Sequence, residues 1–488
     1  MIEISTKIHD QYSIELKVGF VTRKQQRMND FSLAMWMFVP RSLDITRTTY
    51  PKEMFYQDVK SNIRLITPTF LLREIVDGPA VPLQNIREAF GAMASSPTKA
   101  NIGEYEYHIK MFASIVKSAM RDEILHIVTN RIEPDTNALC EGFIENAERI
   151  LDEYGKLRSI INVPTVETGV MQMYLRGDEF LGDVAGKHLL DLIAWLEAKD
   201  MKDLSRKASA LYSKIGNHKK NMSYPELRED DPGQNRLYLH RFSVLKKYIE
   251  SVLYVLYLRA PKKRDGVLVE QIYLSIAAGI AMIVATGLSA LFRKQFGSMA
   301  LLLFIAMVVS YMLKDRIKDL MRYYFAHKVG SKYFDNKAKI IHKDVELGWL
   351  KEGVDVLSLS KVPSDVLAVR NSSHLTELED DMNPERVILY RKSVHIDRTK
   401  LQGNTDYDFL GINDILRLNV QNFTKKMDDP IVPMKTLSSD GVVSTVLCKR
   451  EYYMNLVLQY SYDDVIEYKR FRIALSRDGI QSIEGVSQ

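Results

Sequence analysis

Two glutamate–histidine pairs are the first residues to weigh for chemistry. Glu104 and His108 stand four apart and Glu123 and His126 three apart, so each pair shares a face if its segment is helical. Helical bundles hold metals with such spacing, but a di-iron carboxylate site takes two Glu-x-x-His pairs and two further glutamates. Glu123 to His126 is the one Glu-x-x-His in the chain. Ordinary pairing along a helix surface accounts for both pairs, and no metal is expected.

Gly182 to His188 reads GDVAGKH, which has the glycines and the lysine of a phosphate loop. That loop needs four residues between its glycines and a Ser or Thr after the lysine to hold magnesium. Here three intervene, His188 follows, and the segment has helical periodicity. No nucleotide or other cofactor is expected. Cys140 sits beside Glu141 next to an apolar helical stripe, where a reactive thiolate is disfavoured. Cys448 is flanked by Lys449 and Arg450, which favour a thiolate, yet a strand cysteine is more often buried and structural. The two thiols stand far apart in sequence, which fits reduced cysteines in a cytosolic compartment rather than a disulfide framework. There is no Gly-x-Ser-x-Gly elbow and no His-Glu-x-x-His helix. Glu229-Asp230-Asp231 and Asp463-Asp464 read as solvated turns. The residues name no catalytic group and no small-molecule ligand, and they lean against an enzyme.

What the chain does specify is a membrane element. Gln271 to Phe292 is 22 residues without a charge, and after Arg293 and Lys294 a second uncharged run of 19 residues reaches Leu313. Each matches the roughly 20 residues that a hydrocarbon core of about 30 Å requires. Residues 267–313 are therefore expected to form a two-span transmembrane hairpin. Ala277, Ala281 and Ala285 stand four apart, with Gly279 and Gly287 nearby, the small-residue spacing that lets membrane helices approach closely. The second run offers bulk instead, in Leu301, Phe304, Met307 and Val308. Neither run has an internal acid or base, which argues against an ion or proton path.

Arg259, Lys262, Lys263 and Arg264 precede the first span, and Lys314, Arg316, Lys318, Arg322 and Lys328 follow the second. Only two cations lie in the turn. This imbalance places both termini on the cytoplasmic side of a plasma or inner membrane. Lipid head groups are the expected contact of Arg259, Lys262, Lys263, Arg264, Lys314, Arg316 and Lys318. The opening MIEISTKIHDQYS lacks a basic start followed by an apolar run, so it does not read as a signal peptide.

The chain's 488 residues exceed one ordinary domain, and its net charge of +5 is too weak to imply nucleic acid. Residues 1–82 read as an N-terminal β region, with strands over Ile14–Thr22, Phe31–Val39 and Ile63–Ile75. Apolar residues at three- and four-residue steps make 83–220 a helical bundle. Residues 221–235 form a linker, and 236–266 an amphipathic juxtamembrane helix suited to the bilayer interface or to packing on the bundle. A helical stalk over 314–345 leads to a C-terminal β domain at 346–488. Its strands are expected at 355–359, 366–370, 386–396, 415–420, 442–448, 453–460, 467–475 and 480–483, as a sandwich or partly closed barrel.

The fold class is thus a multidomain α+β membrane protein: an N-terminal β plus helical-bundle region, a central two-span hairpin, and a mostly antiparallel C-terminal β domain. The function that fits is a non-enzymatic scaffold, sensor or assembly protein. Its partners are the lipid bilayer and either other proteins or copies of itself. A membrane-bound enzyme with a site assembled from sequence-distant residues is the alternative.

Overall fold

The structure, a computed structural model, describes residues 2–77, 81–130, 133–164, 166–259, 267–296, 300–324, 334–371, 385–403, 406–437, 441–462 and 465–486. In chain order the elements are β1 (Ile2–Asp10), β2 (Ser13–Val21), β3 (Met28–Val39), α1 (Lys52–Asp58), β4 (Val59–Leu65), α2 (Leu72–Asp77), α3 (Val81–Ser95), α4 (Lys99–Thr129), α5 (Glu133–Ile161), α6 (Thr168–Ala198), α7 (Lys202–Asn221) and α8 (Pro232–Glu250). Then come β5 (Leu256–Arg259), α9 (Val267–Phe296), α10 (Ala300–Tyr324), β6 (Asn336–His342), β7 (Val345–Ser358), α11 (Ser364–Arg370), β8 (Arg386–Asp397), β9 (Gly411–Asn419), β10 (Ile431–Leu437), β11 (Val443–Lys449), β12 (Tyr452–Tyr462), β13 (Val465–Ser476) and β14 (Gly479–Val486). They form two units: Met1–Arg64 with Val255–Leu401 and Gly411–Gln488, and Leu65–Tyr254 with Gln402–Leu410.

The first unit is built on an eight-stranded antiparallel sheet of order β14-β13-β12-β3-β8-β7-β6-β5 and a four-stranded sheet of order β1-β2-β9-β4. β3 lies inside the larger sheet. Its first half alternates between exposed and buried side chains, and its last five residues are all buried. That is the pattern of a strand covered on both faces towards one end. Part of its cover is α11, whose Val366 and Val369 pack with Trp36, Phe38 and Leu389. The two sheets meet through rings such as Phe20 and Phe31, 5.4 Å between centroids. β6 and β7 are joined by Lys343 and Asp344, both with φ in the left-handed region, as a two-residue type I′ hairpin requires.

The second unit is helical. α4 is its central element, with Tyr105, Ile109, Phe112, Ile115, Val116 and Met120 buried. Tyr154 of α5 stacks on Tyr174 of α6 at 5.0 Å and donates to the Tyr174 carbonyl at 3.1 Å. Gly177 one turn later makes room for this, since an added Cβ would run into the Tyr154 hydroxyl. Asp231 caps α8 by accepting from the Gln234 amide at 2.9 Å, with Pro232 in the first turn.

Several elements differ from the sequence expectations. The run Ile63–Ile75 is a strand only to Leu65 and then turns helical in α2. Residues 366–370 are helical in α11, not a strand: at this length apolar content does not separate the two periods, and Val366, Val369 and Arg370 share the buried helical face. The amphipathic helix ends at Glu250, and Arg259 belongs to strand β5. Its Leu245 and Ile249 are buried, and Phe242 stacks on Phe180 of α6 at 6.2 Å. The helix thus packs on the bundle. In the expected stalk, helix is described to Tyr324 and strand β6 begins at Asn336. Residues of the acidic run before Glu385 lie outside the described set, as do Asp463 and Asp464. The N-terminal and C-terminal strands, distant in sequence, share both sheets, because β3 sits between β12 and β8 and β2 pairs with β9.

Candidate functional site

The helix pair of α9 and α10 reverses the usual arrangement of a folded protein. Among the described side chains of α9, Ala277, Ala281 and Ala285 are buried, while Ile272, Ile276, Ile280 and Ile283 are 45–71% exposed. On α10 Ser310 is buried, and Leu301, Phe304, Met307 and Met312 are 56–74% exposed. Tyr273, early in α9, lies 3.9 Å from the Met321 sulfur late in α10, so the two helices run antiparallel. Burying small residues and exposing large apolar ones costs free energy in water at about 25 cal/mol per Å². In hydrocarbon that cost disappears, and backbone proximity becomes the source of association. Gln271–Leu291, with mean hydropathy 2.0, is the one described helix long and apolar enough to cross a membrane by length and composition.

Of the five small residues singled out by spacing, the three alanines come together on the packed face. Gly279 and Gly287 do not: both are exposed, and an added Cβ at either meets nothing. The reason is angular, since two residues further along a helix is about 200° round from the alanine row. Among the cations, Lys314 is half-buried and lies 3.9 Å over the Tyr311 ring, and Arg316 and Lys318 are exposed. Arg259 is in β5, and Lys262, Lys263 and Arg264 lie outside the described residues. Arg293 and Lys294 at the far end of α9 are exposed.

Of the residues first weighed for chemistry, Glu104 and His126 are exposed and Glu123 is half-buried. His108 is buried, with Tyr407 at 3.1 Å from Nδ1, and Glu104 and Asp406 at 3.8 and 3.6 Å from Nε2. No group of three metal-ligating side chains occurs among the described residues. Burial raises the Glu123 carboxyl above its usual range. Cys140 is buried and its thiol is pushed up to about 11, while Cys448 is exposed. In the GDVAGKH segment, Gly186 faces Tyr212 of α7 and Asp183 pairs with Lys219 at 2.7 Å. An added Cβ at Gly182 or Gly186 makes only ordinary contacts with α7, at 3.8 Å from Ile215 and 3.5 Å from Tyr212.

Beside that contact, α5, α6 and α7 enclose a cavity of about 180 Å³ lined by Glu148, Asp152, Asp178, Lys214 and His218. Lys214 bridges Glu148 at 2.8 Å and Asp152 at 3.0 Å. His218 meets Asp178 at 2.8 Å, and Tyr224 donates to the same carboxylate at 2.9 Å. The hydrogen bond to Asp178 holds the His218 imidazole above its usual value. The volume falls below the roughly 300 Å³ at which small-molecule pockets begin.

Sequence reasoning missed one polar centre in the β unit. Lys392 on β8 and Asp414 on β9 are fully buried and hydrogen-bonded to each other. Ser61 of β4 donates to Asp414 at 2.7 Å and accepts from Lys392 at 3.1 Å. Two residues along β8, the Tyr390 hydroxyl donates to buried Glu352 at 2.8 Å. A serine beside a lysine invites comparison with a nucleophile and its base, but this ammonium is tied to a carboxylate in a closed core. The signal was present, since Lys392 and Asp414 occupy the inward register of strands whose other inward residues are mostly apolar. The chain matches no protein-family model, no curated protein and no solved structure.

Proposed function

We propose that the chain is an integral membrane protein in which α9 and α10 form a transmembrane hairpin, with both termini on the cytoplasmic side of a plasma or inner membrane. It acts as a non-enzymatic scaffold, sensor or assembly protein that holds its two units at the bilayer and works through contacts with other proteins or with itself. One observation carries this reading: large apolar side chains line the outside of the helix pair and small ones its seam. The cation excess flanking the hairpin over its turn supports the orientation. A membrane-bound enzyme is the second reading, and the cavity between α5, α6 and α7 is what favours it. Each carboxylate lining that cavity is already ion-paired, which weakens it.

The test is retention and labelling in a Cys448→Ser background. Cysteines placed at Gln295 or Ser298 should react with an impermeant thiol reagent added to intact cells, and ones at Thr6 or Gln488 should not. Labelled termini would overturn the orientation. A chain that stays in the aqueous fraction without detergent would overturn the membrane reading.

A further inference from the structure

β10 and β11 form a separate two-stranded ribbon, with no third strand among the described residues. All of its residues except Val432 are exposed. Ile431, Met434, Leu437, Val443, Val446 and Leu447 are 47–68% exposed, and they lie on both faces of the ribbon. A lone two-stranded ribbon is marginal in water and gains stability when further strands join it.

The two edges of this ribbon are not equivalent. β10 carries Pro433 opposite Leu447, and a proline inside a paired strand leaves its missing N–H on the outer edge. That edge is therefore guarded. β11 reads VSTVLCK, with no proline, no glycine and no acid. Its outer backbone groups form an open template of the kind folded proteins usually block. Lipid is a poor occupant, because hydrocarbon offers nothing to those groups.

We infer that β11 is a self-association edge, to which the β11 of a second copy adds antiparallel about a two-fold axis at Thr445. The product is a four-stranded sheet of order β10-β11-β11-β10 spanning two copies. The strand is self-complementary in this register. Val443 of one copy faces Leu447 of the other, Val442 faces Cys448, and each Lys449 faces Gly441 rather than the other lysine. Centring the axis on Val446 sets Lys449 against Val443, and centring it on Ser444 sets Leu447 against Gly441. An isologous contact of this kind closes as a dimer instead of propagating. The inference names a partner for the assembly reading, but it stands on the ribbon and does not need the bilayer.

The test uses the full chain in detergent with Cys448→Ser, Cys140 being buried. Directly opposed residues of an antiparallel pair have Cα atoms about 4.5–5.5 Å apart, within disulfide reach. Thr445→Cys should therefore give a disulfide-linked species of doubled mass under mild oxidation. Lys435→Cys, on the guarded strand and paired with Thr445 inside the ribbon, should stay at single mass. In a parallel measurement, Thr445→Pro should halve the native mass of the unmodified chain. A monomeric wild type, equal cross-linking at both positions, or a Thr445→Pro protein that stays dimeric would each overturn the inference. Such a failure leaves the hairpin reading untouched, whereas a water-soluble chain that still cross-links at Thr445 fails that reading alone.

Discussion

Ala281 is the sharpest place to probe the helix pair. It is 1% exposed at the middle of the alanine row, with Ala277 at 0% and Ala285 at 9% on either side. Phe at this position adds a ring where the seam has no spare volume, so α10 must move away. Overpacking a well-packed contact costs about 1–3 kcal/mol, and in the proposed transmembrane hairpin a seam held by dispersion would have no hydrophobic term to offset it. At tenfold per 1.4 kcal/mol, the ratio of packed to separated helices should fall by between about fivefold and a hundredfold. Ala278 supplies a matched control, because it carries the same side chain but is exposed. Ala278→Phe should leave the pair intact. The assay is thermal stability of the purified protein in detergent, together with disulfide trapping between cysteines placed at Tyr273 and Met321. Ala281→Phe should lower both the melting temperature and the trapping yield, and Ala278→Phe neither. Equal behaviour of the two variants would refute the idea that the alanine row is a packing seam.

Three further outcomes follow from the two units. Lys392→Met strands the buried Asp414 carboxylate and should cost about 3–5 kcal/mol, whereas Lys392→Met with Asp414→Leu should recover most of that loss. Denaturant titrations of the three proteins check it, and equal losses in the single and double variants would show that the stranded carboxylate is not the source of the cost. Asp178 raises His218 above 6.5, so the folded chain holds that proton more tightly than the unfolded chain does. The stabilisation is therefore complete below about pH 6.5 and fades as pH rises through the raised folded-state value. His218→Gln should accordingly lower the unfolding midpoint more at about pH 5.5 than at about pH 9, and a larger loss at the higher pH contradicts the pairing. Finally, native protein should take up one thiol label, at exposed Cys448, with Cys140 reacting only on unfolding. Cys448→Ser should abolish native labelling, and mass spectrometry of the labelled peptides decides the site.

Much of the secondary structure was legible where a single period runs long enough. The stripe of Ile109, Phe112, Ile115, Val116 and Met120 marks α4, and all five side chains are buried. The charge-free run beginning at Gln271 marks α9 for the same reason. Short segments defeated the pattern. The valines of α11 fit a strand as well as a helix until the neighbouring layer is known, and β10, with Pro433 and Lys435 in seven residues, scores poorly as a strand. Pairing was not legible at all. Nothing local to Trp36 points to Leu389 and Val457, the residues opposite it on β8 and β12. That is why regions expected at opposite ends of the chain prove to share one sheet.

Small residues carry the most context-dependent meaning in this chain. The sequence sets Gly182 and Gly186 in an imperfect echo of a phosphate loop, rejected on its spacing, and groups Ala277, Gly279, Ala281, Ala285 and Gly287 as small residues for membrane packing. The structure separates them by what lies opposite. An added Cβ at Gly177 collides with Tyr154, so that glycine sets the spacing of α6 to α5, whereas one at Gly186 makes an ordinary contact with the Tyr212 ring at 3.5 Å. Gly279 and Gly287 face open space, where the argument for close approach has nothing to act on. Their substitution by alanine removes the glycine cost of a helix interior, about 1 kcal/mol each. A small residue therefore marks a contact only when its helical angle agrees with its neighbours, and on α9 the three alanines meet that condition while the two glycines do not.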